Sequence, residues 1–230
     1  MLVIASVHIA DVGVGAALKV LRKAPSPASV SGLRQANVAL AAVLGKGVLP
    51  KPMLGRVALV AFWDGDDALD RFLVDDPGAK PFAGGWRVRL DPLRAWGSWP
   101  GVPADLSRSR AVDYEGPAAV LTLGRLRWPQ GFRFLRTSAK AEAAVVDAPG
   151  LTWATGMARP PFFSTCSLWQ SSDALSAYAF TQGAAHDGAI VADRGKPFHH
   201  QSAFIRFRPY GSVGSLDGKN PLRERWLSPA

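Results

Sequence analysis

The sequence predicts an α+β fold in which two tandem ferredoxin-like βαββαβ repeats pack sheet to sheet as an α+β barrel. A motif made of a Trp, an Asp-Ala-Leu and an aromatic residue occurs twice, at Trp63 to Phe72 and at Trp169 to Tyr178, with each pair 106 positions apart. Around both copies, stretches in which apolar and polar residues alternate, as in strands, and stretches with helical spacing follow in the same order. An internal repeat of this kind indicates a duplicated structural unit.

Further matched positions extend the repeat beyond this motif. Before the motif, equivalent residues are 117 or 118 positions apart, and after it they are again 117 apart. The matched pairs are Val3 and Val120, Leu18 and Leu135, Gly32 and Gly150, Arg89 and Arg206, Pro92 and Pro209, and Gly97 and Gly214. Since the matches keep the same order in both halves, we interpret them as a duplication.

The first repeat, residues 1–96, reads strand, helix, strand, strand, helix, strand. Alternation of apolar residues predicts the strands and helical spacing predicts the helices. The alanine-rich segment 33–44 favours a helix by propensity, so its strand prediction depends on the repeat. The predicted strands are 2–9, 33–44, 56–63 and 86–94, and the predicted helices are 14–23 and 66–74.

The second repeat, residues 118–216, shows the same order and is the repeat in which we expect the functional site. Its predicted strands are 118–127, 151–158, 162–169 and 203–210, and its predicted helices are 131–146 and 173–190. Pro- and Gly-rich 97–117 is interpreted as a linker, and polar 217–230 as a C-terminal tail. Each sheet has helices on one face, so two copies can cover each other's bare faces.

The composition restricts the functional classes. The single cysteine, Cys166, excludes internal disulfides and cysteine-based zinc sites, and it is consistent with a reducing compartment. The net charge of +9 is scattered along the chain and forms no nucleic-acid motif, so we expect no nucleic-acid partner. The first residues lack the basic region of a signal peptide. We therefore expect a cytoplasmic protein and leave contact with an anionic membrane surface open.

One histidine lies on the inward stripe of the last predicted helix. His186 follows Leu175 by eleven residues, which turn a helix to within about 20° of its starting direction. Leu175 and Tyr178 match Leu69 and Phe72 of the first repeat, so His186 is predicted to point between helix and sheet. A core histidine bonded to a backbone carbonyl remains the alternative.

The strand beneath this helix also changes between the repeats. Val57, Leu59 and Ala61 become Phe163, Thr165 and Ser167. Two hydroxyl groups in an otherwise apolar position indicate a ligand cavity. An isolated histidine is a poor zinc site, whereas a haem iron needs one axial imidazole from the protein. A thiolate from Cys166 is a weaker alternative, because alternation points it to the other face of the strand.

The stretches "STCSLWQSSDALSAYAFTQGAAHDGAI" and "FHHQSAFIRFRPYGSVGSLDGKNPL" resemble the spheroidene monooxygenase family. The shared pattern is S-x-W-x-S, a helix that contains Tyr-Ala and a Gly-Ala-His step, and F-x-R-F-x-P. The resemblance is best over residues 150–222. It implies a haem-containing oxygenase that acts on an apolar polyene, with the dimeric α+β barrel architecture shared with chlorite dismutases and dye-decolourising peroxidases.

The resemblance also assigns roles to particular residues. His186 is expected to be the proximal ligand of haem b iron, and Arg206 is expected to bind a haem propionate. Tyr178 matches a framework position, and we group it with Thr165 and Ser167 at the cofactor pocket. His199 and His200 depart from the family pattern, and each is a candidate distal acid–base catalyst or axial ligand. Two exposed loop histidines are the alternative.

These observations favour a haem-dependent monooxygenase that oxidises a hydrophobic, carotenoid-like substrate with electrons from an external donor. A haem enzyme of another class, such as an aldoxime dehydratase or a peroxidase, is the first alternative, because a fold does not determine a reaction. A haem-free α+β barrel that binds a small ligand is the second alternative. Association of the chain with further copies of itself remains open.

Overall fold

Each half of the chain folds in the predicted order of elements. The computed structural model describes residues 3–45, 51–109, 112–181 and 197–222. The first half comprises β1 (Ile4–Asp11), α1 (Val14–Arg22), β2 (Leu33–Val43), β3 (Lys51–Trp63), α2 (Asp66–Asp75) and β4 (Trp86–Gly97). The second half comprises β5 (Ala118–Leu126), α3 (Gly131–Val146), β6 (Leu151–Arg159), β7 (Phe162–Trp169), α4 (Ser172–Thr181) and β8 (His199–Val213).

Most element boundaries agree with the sequence prediction, including the alanine-rich strand β2. The main differences are β3, which begins at Lys51 instead of residue 56, and β8, which begins at His199 instead of residue 203. The alternative of two exposed loop histidines at His199 and His200 is therefore wrong, since both belong to a strand. The predicted continuation of α4 to residue 190 lies outside the described residues.

The eight strands form one closed barrel in the order β1-β3-β2-β6-β7-β5-β8-β4. Each half contributes a four-stranded antiparallel sheet with the strand order of a ferredoxin-like unit. The two sheets join along their edges. One seam, between β4 and β8, contains ten paired positions, and the other, between β2 and β6, contains three. The α+β barrel prediction is confirmed.

The strand registers show which positions of the two repeats are equivalent. Trp63 lies opposite Ile4, and Trp169 lies opposite Ala118. Ile4 is therefore equivalent to Ala118, a shift of 114 positions. The alignment of Val3 with Val120 is wrong by three residues, because both strands are buried at nearly every position and their apolar pattern does not determine the register. The alignment of Arg89 with Arg206 is confirmed.

Two pairs of glycines show how closely the repeat is kept. Gly97 and Gly214 end equivalent strands with φ of 84° and 83°, and a Cβ at either would come within 2.2 Å of a backbone oxygen. Gly32 and Gly150 have φ of 76° and 80°, and a Cβ at either would lie 2.5 Å from an alanine Cβ of the following helix. Only glycine fits these positions, which explains its recurrence.

The apolar core is divided into three parts. The barrel interior is filled from both sheets, and its members include Val60, Leu90, Leu121 and Ile205. On the outer face of the first sheet, fifteen buried residues pack beneath α1 and α2. On the outer face of the second sheet, the corresponding cluster has five buried residues among those described.

The segments after β4 and β8 pack against the two ends of the barrel. Trp99, with Val102 and Leu106, packs against the interior core from the segment predicted as a linker. Leu216 and Leu222 do the same after β8. Trp99 and Leu216 are 117 positions apart, so they are equivalent residues of the repeat.

Candidate functional site

Four residues on the helix side of the second sheet form what we call the floor: Val120, Thr122, Thr165 and Ser167. Thr122 is exposed although it lies on a central strand, and its neighbour Thr165 is half-buried, whereas Val120 and Ser167 are buried. The equivalents of Thr122 and Thr165 in the first repeat, His8 and Leu59, are 1% and 0% exposed. Thr165, part of the strand face predicted to be altered, is thus more exposed than its counterpart in the first repeat.

Arg206 borders the floor and carries a buried charge without a carboxylate partner among the described residues. It lies opposite Val120 in the sheet and is 6% exposed. Its Nη1 donates to Ser172 Oγ at 3.1 Å and its Nη2 donates to Ser176 Oγ at 3.3 Å. Its buried Nε has no hydrogen-bond acceptor.

The first repeat shows how the same arginine is normally satisfied in this fold. Arg89, the equivalent of Arg206, forms ion pairs with Asp66 and Asp70 of α2. Asp66 and Asp70 are equivalent to Ser172 and Ser176, each 106 positions later. The second repeat has thus kept the guanidinium and lost both carboxylates. A buried cation of this kind requires an anion from elsewhere.

The pKa values of the two arginines reflect this difference. Burial, together with the nearby Arg94, lowers the pKa of Arg206. Burial also opposes the charge of Arg89, but its hydrogen bonds to Asp70 and Asp66 produce a net rise in its pKa. Both side chains stay protonated at any ordinary pH.

His199 lies on the same side of the sheet as the floor because of a β-bulge. Arg125 pairs with Gln201, whereas the next residue, Leu126, pairs with His199. This shift leaves an extra residue in β8 and turns the His199 ring to the helix side, where it lies over Gly124. Bulges commonly re-aim a side chain in this way. Simple alternation would have placed His199 inside the barrel.

The surroundings of His199 are aromatic. Its ring centroid is 5.1 Å from that of Phe134 on α3, and Phe198 and Phe163 complete the cluster. A Cβ at Gly124 would come within 2.6 Å of the His199 ring, so a glycine is needed beneath it. The equivalent residue in the first repeat is Ala10, whose methyl group is part of a packed core.

The other predicted site residues are placed as follows. Tyr178 packs on Trp169 with ring centroids 5.0 Å apart, the same distance as between Phe72 and Trp63. Ser167 accepts a hydrogen bond from Trp169 Nε1 at 3.0 Å. His200 is exposed. His186 lies outside the described residues, so its predicted role stays a prediction.

Cys166 points into the barrel, away from the floor, and is completely buried. Burial raises the pKa of its thiol to about 12, so it is protonated at neutral pH. The alternative of a Cys166 thiolate ligand at the floor is wrong on position, because the side chain lies on the other face of the sheet.

Several residues of the site were not found by sequence reasoning. Ser172 and Ser176 could have been found, because the offset of 106 aligns them with two aspartates. Thr122 and Gly124 could not, because the three-residue error in aligning β1 and β5 hid their equivalence to His8 and Ala10. The sequence carries no clear signal for the bulge that orients His199.

The described part of the chain has neither a cluster of metal-ligating side chains nor a helix that could span a membrane. It contains no group of three or more His, Cys, Asp or Glu side chains that could hold a metal ion. A haem iron does not need such a group, since the porphyrin supplies four of its ligands. None of the helices within these ranges combines the length and apolar character that crossing a bilayer requires.

Sequence comparison finds relatives named spheroidene monooxygenase. The chain is 31% identical to that of Rubrivivax gelatinosus over 175 residues, which are 74% of this chain and 66% of that protein. It is 25% identical to that of Cereibacter sphaeroides over 186 residues, 78% of this chain and 57% of that protein. The chain thus spans less than two thirds of the length of these relatives. No family model matches the chain.

Comparison with solved structures finds the same architecture in aldoxime dehydratase. One such crystal structure superposes with a TM-score of 0.55 and 10% sequence identity, covering 90% of this chain and 81% of that chain. At this identity, the likeness concerns the fold alone.

Fold and site together define a single-chain α+β barrel of two ferredoxin-like repeats, with a buried arginine on the helix side of the second repeat. Within this class the chain is a relative of the spheroidene monooxygenases, and the resemblance of its motifs to that family is confirmed.

Proposed function

We propose that this chain is a haem-dependent monooxygenase, similar to spheroidene monooxygenase, that oxidises a hydrophobic, carotenoid-like substrate. The sequence similarity over about three quarters of the chain supports the monooxygenase class. The haem part of the proposal rests on one observation. Arg206 is a buried guanidinium that has lost both carboxylate partners of its repeat equivalent, and it lies opposite Val120 of the floor.

The described residues fit a haem in this position. A porphyrin is flat and apolar and carries two propionates, so it needs an open face and a cation at its edge. The floor offers the face, and Arg206 offers N–H groups that can bind a carboxylate with charge-assisted hydrogen bonds. When bound, haem would supply an iron centre that activates oxygen next to the substrate.

The residues of this chain would divide the remaining tasks. His186, on the expected continuation of α4, is proposed as the axial ligand. His199 lies on the same sheet face as the floor, within an aromatic cluster, and is proposed to hold or transfer a proton. His200 is the alternative axial ligand. Tyr178 and Ser167 would shape the pocket through their contacts with Trp169.

Haem binding by the purified chain tests the proposal. Reconstitution with haem b should give a Soret band, which His186→Ala should abolish. His199→Ala should keep the band and lower turnover by about 100-fold, the range typical of a lost acid–base group. His200→Ala changes the alternative ligand and should alter neither the band nor turnover if His186 is the axial ligand.

Three results would change the proposal. If the band survives in His186→Ala and disappears in His199→Ala or His200→Ala, the ligand assignment is wrong. If Arg206→Met binds haem as tightly as the wild type, the propionate assignment is wrong. If the wild-type chain does not bind haem at all, the second alternative, a haem-free binding module, takes its place.

A haem enzyme of another reaction class, such as an aldoxime dehydratase or a peroxidase, is the second candidate, because a fold does not determine a reaction. The two candidates differ in their need for oxygen. A monooxygenase should incorporate one atom of labelled O₂ into its product. Dehydration of an aldoxime should proceed without oxygen and give no label.

The proposed reaction also requires partners. Electrons would come from an external donor, because the sequence contains no G-x-G-x-x-G fingerprint for a flavin or nicotinamide cofactor. The net charge of +9 would favour peripheral contact with an anionic membrane, where a lipophilic substrate dissolves. Sedimentation with anionic and neutral vesicles would measure this contact.

A further inference from the structure

The two ends of the barrel are equivalent in the repeat but differ in charge. At the end closed by Leu216, Arg56 forms ion pairs with Asp11 and Asp217, and a cleft of about 110 Å³ lies beside it. The register makes Arg125 the equivalent of Asp11 and Phe162 the equivalent of Arg56. At the end closed by Trp99, the guanidinium of Arg125 thus stands where the other end has the carboxylate of Asp11.

A second cleft, of about 230 Å³, opens at the Trp99 end, and we call it the linker-end cleft. It lies where β2 and β6 separate beyond their three paired positions. Its lining contains two arginines and no carboxylate. The lining residues are Ala36, Asn37, Val38, Arg125, Arg159, Pro160, Pro161 and Phe162.

The two guanidinium groups are arranged on either side of one residue. Arg125 and Arg159 both lie opposite Phe162 on the strands that flank it, so the three side chains form one row across the sheet. Arg125 Nη1 donates to Gln201 Oε1 at 2.9 Å, and the guanidinium lies 5.0 Å from the centre of the Trp99 ring. These contacts hold Arg125 in place and leave its other N–H groups without a protein acceptor in the part of the chain described.

Further hydrogen-bond donors at this end also lack acceptors. Asn37 lines the cleft, and its Nδ2 is buried without a partner. Trp99 is 4% exposed, and its Nε1–H is likewise unpartnered, while its ring packs against Phe162. Buried donors without acceptors are costly, and of these two only Asn37 belongs to the lining of the cleft.

We propose that the linker-end cleft binds the oxyanion group of a small molecule, a phosphate or a carboxylate. Paired guanidinium groups are suited to the planar, multiple acceptors of such groups, and the amide of Asn37 adds a neutral donor. The site uses the inner face of the barrel, whereas the floor is on the outer face of the second sheet. It is therefore separate from the proposed haem site and does not depend on it.

Calorimetric titration of the full chain tests this proposal. Inorganic phosphate and succinate are titrated separately, each against sodium chloride of equal ionic strength, and the tighter of the two identifies the class of oxyanion. Arg125→Gln and Arg159→Gln should each weaken binding by about tenfold or more, as expected for the loss of a charge-assisted contact. Arg71→Gln, which removes an exposed arginine of α2, is the matched control and should bind as the wild type does.

Two outcomes would overturn the proposal. One is that neither anion binds beyond the effect of chloride. The other is that Arg159→Gln binds like the wild type. Arg159 is exposed, so its substitution tests the site even if Arg125→Gln fails to fold. Because no haem is needed in the titration, failure here leaves the haem proposal untouched, and failure to bind haem leaves this one untouched.

Discussion

The helix sides of the two repeats show what duplication kept and what it changed. Both keep a Trp in the third strand, an aromatic residue stacked on it 5.0 Å away, and an arginine in the last strand. Under the helices of the first repeat, His8 and Leu59 are buried in a packed core. At the same places in the second repeat, Thr122 is exposed and Thr165 half-buried.

This difference separates structural residues from residues available for a ligand. Positions that are alike in both repeats, such as Trp63 and Trp169, are explained by the fold they share. Positions that differ, such as Asp66 and Ser172, need another explanation, because the fold is formed equally well with either. The buried Arg206 without its carboxylates is the clearest of these differences, since it costs stability unless a ligand supplies the charge.

Exchanging Leu59 and its equivalent Thr165 between the repeats should have the largest effect on the free energy of unfolding. Leu59→Thr removes apolar contacts from a fully buried site and buries a hydroxyl, so it should cost about 3 kcal/mol of unfolding free energy. The reciprocal Thr165→Leu should change stability by less than about 1 kcal/mol, because its site is half open. Urea unfolding of both variants measures this, and equal costs would show that the floor is as well packed as the first repeat.

A second effect should come from His8, which is buried in the first repeat and replaced by Thr122 in the second. Burial, with Arg87 and Arg89 nearby, lowers the pKa of His8 to about 3. The unfolded chain binds a proton at this residue near pH 6.5, whereas the folded chain binds it only near pH 3. Stability is therefore lost as the pH falls from about 6.5 towards 3, by about 2 kcal/mol at pH 5.

His8→Thr, which gives the first repeat the residue of the second, isolates this contribution. Its unfolding free energy is expected to be lower at pH 7, because the ring contact with Phe82 is lost. The difference between its values at pH 7 and pH 5 should be smaller than that of the wild type by about 2 kcal/mol. Equal differences in the two proteins would mean that His8 can be protonated in the folded state.

The sequence was sufficient for the fold because the fold depends on patterns that occur twice. The Trp motif and the glycines at equivalent turns defined β2 as a strand against its helix propensity. The pocket could be predicted only where it changes such a pattern, as at Thr165 and Ser167. The orientation of His199 depends on one extra residue in β8, and the demand for an anion depends on burial of Arg206. Both are properties of packing, which local sequence does not encode.

The smallest expected change in the free energy of unfolding comes from a variant that tests most specifically the difference between Arg206 and Arg89. Ser176→Asp restores to the second repeat one of the two carboxylates that Arg89 has in the first. Because Arg206 is buried without a counter-ion, the new ion pair should raise the unfolding free energy by about 1 kcal/mol in the absence of any ligand. The matched change in the first repeat, Asp70→Ser, should cost less than about 1 kcal/mol, since that aspartate is half exposed.

The same variant should weaken haem binding, because the added carboxylate would occupy the guanidinium that the propionate needs. Stability gained together with affinity lost would mean that the two anions compete for Arg206. A fall in stability would contradict this interpretation, since it would show that the charge of Arg206 is already balanced in the folded chain. Both measurements use the Ser176→Asp variant. The unfolding measurement is made without ligand, so it reports on the new ion pair with Arg206 and not on haem.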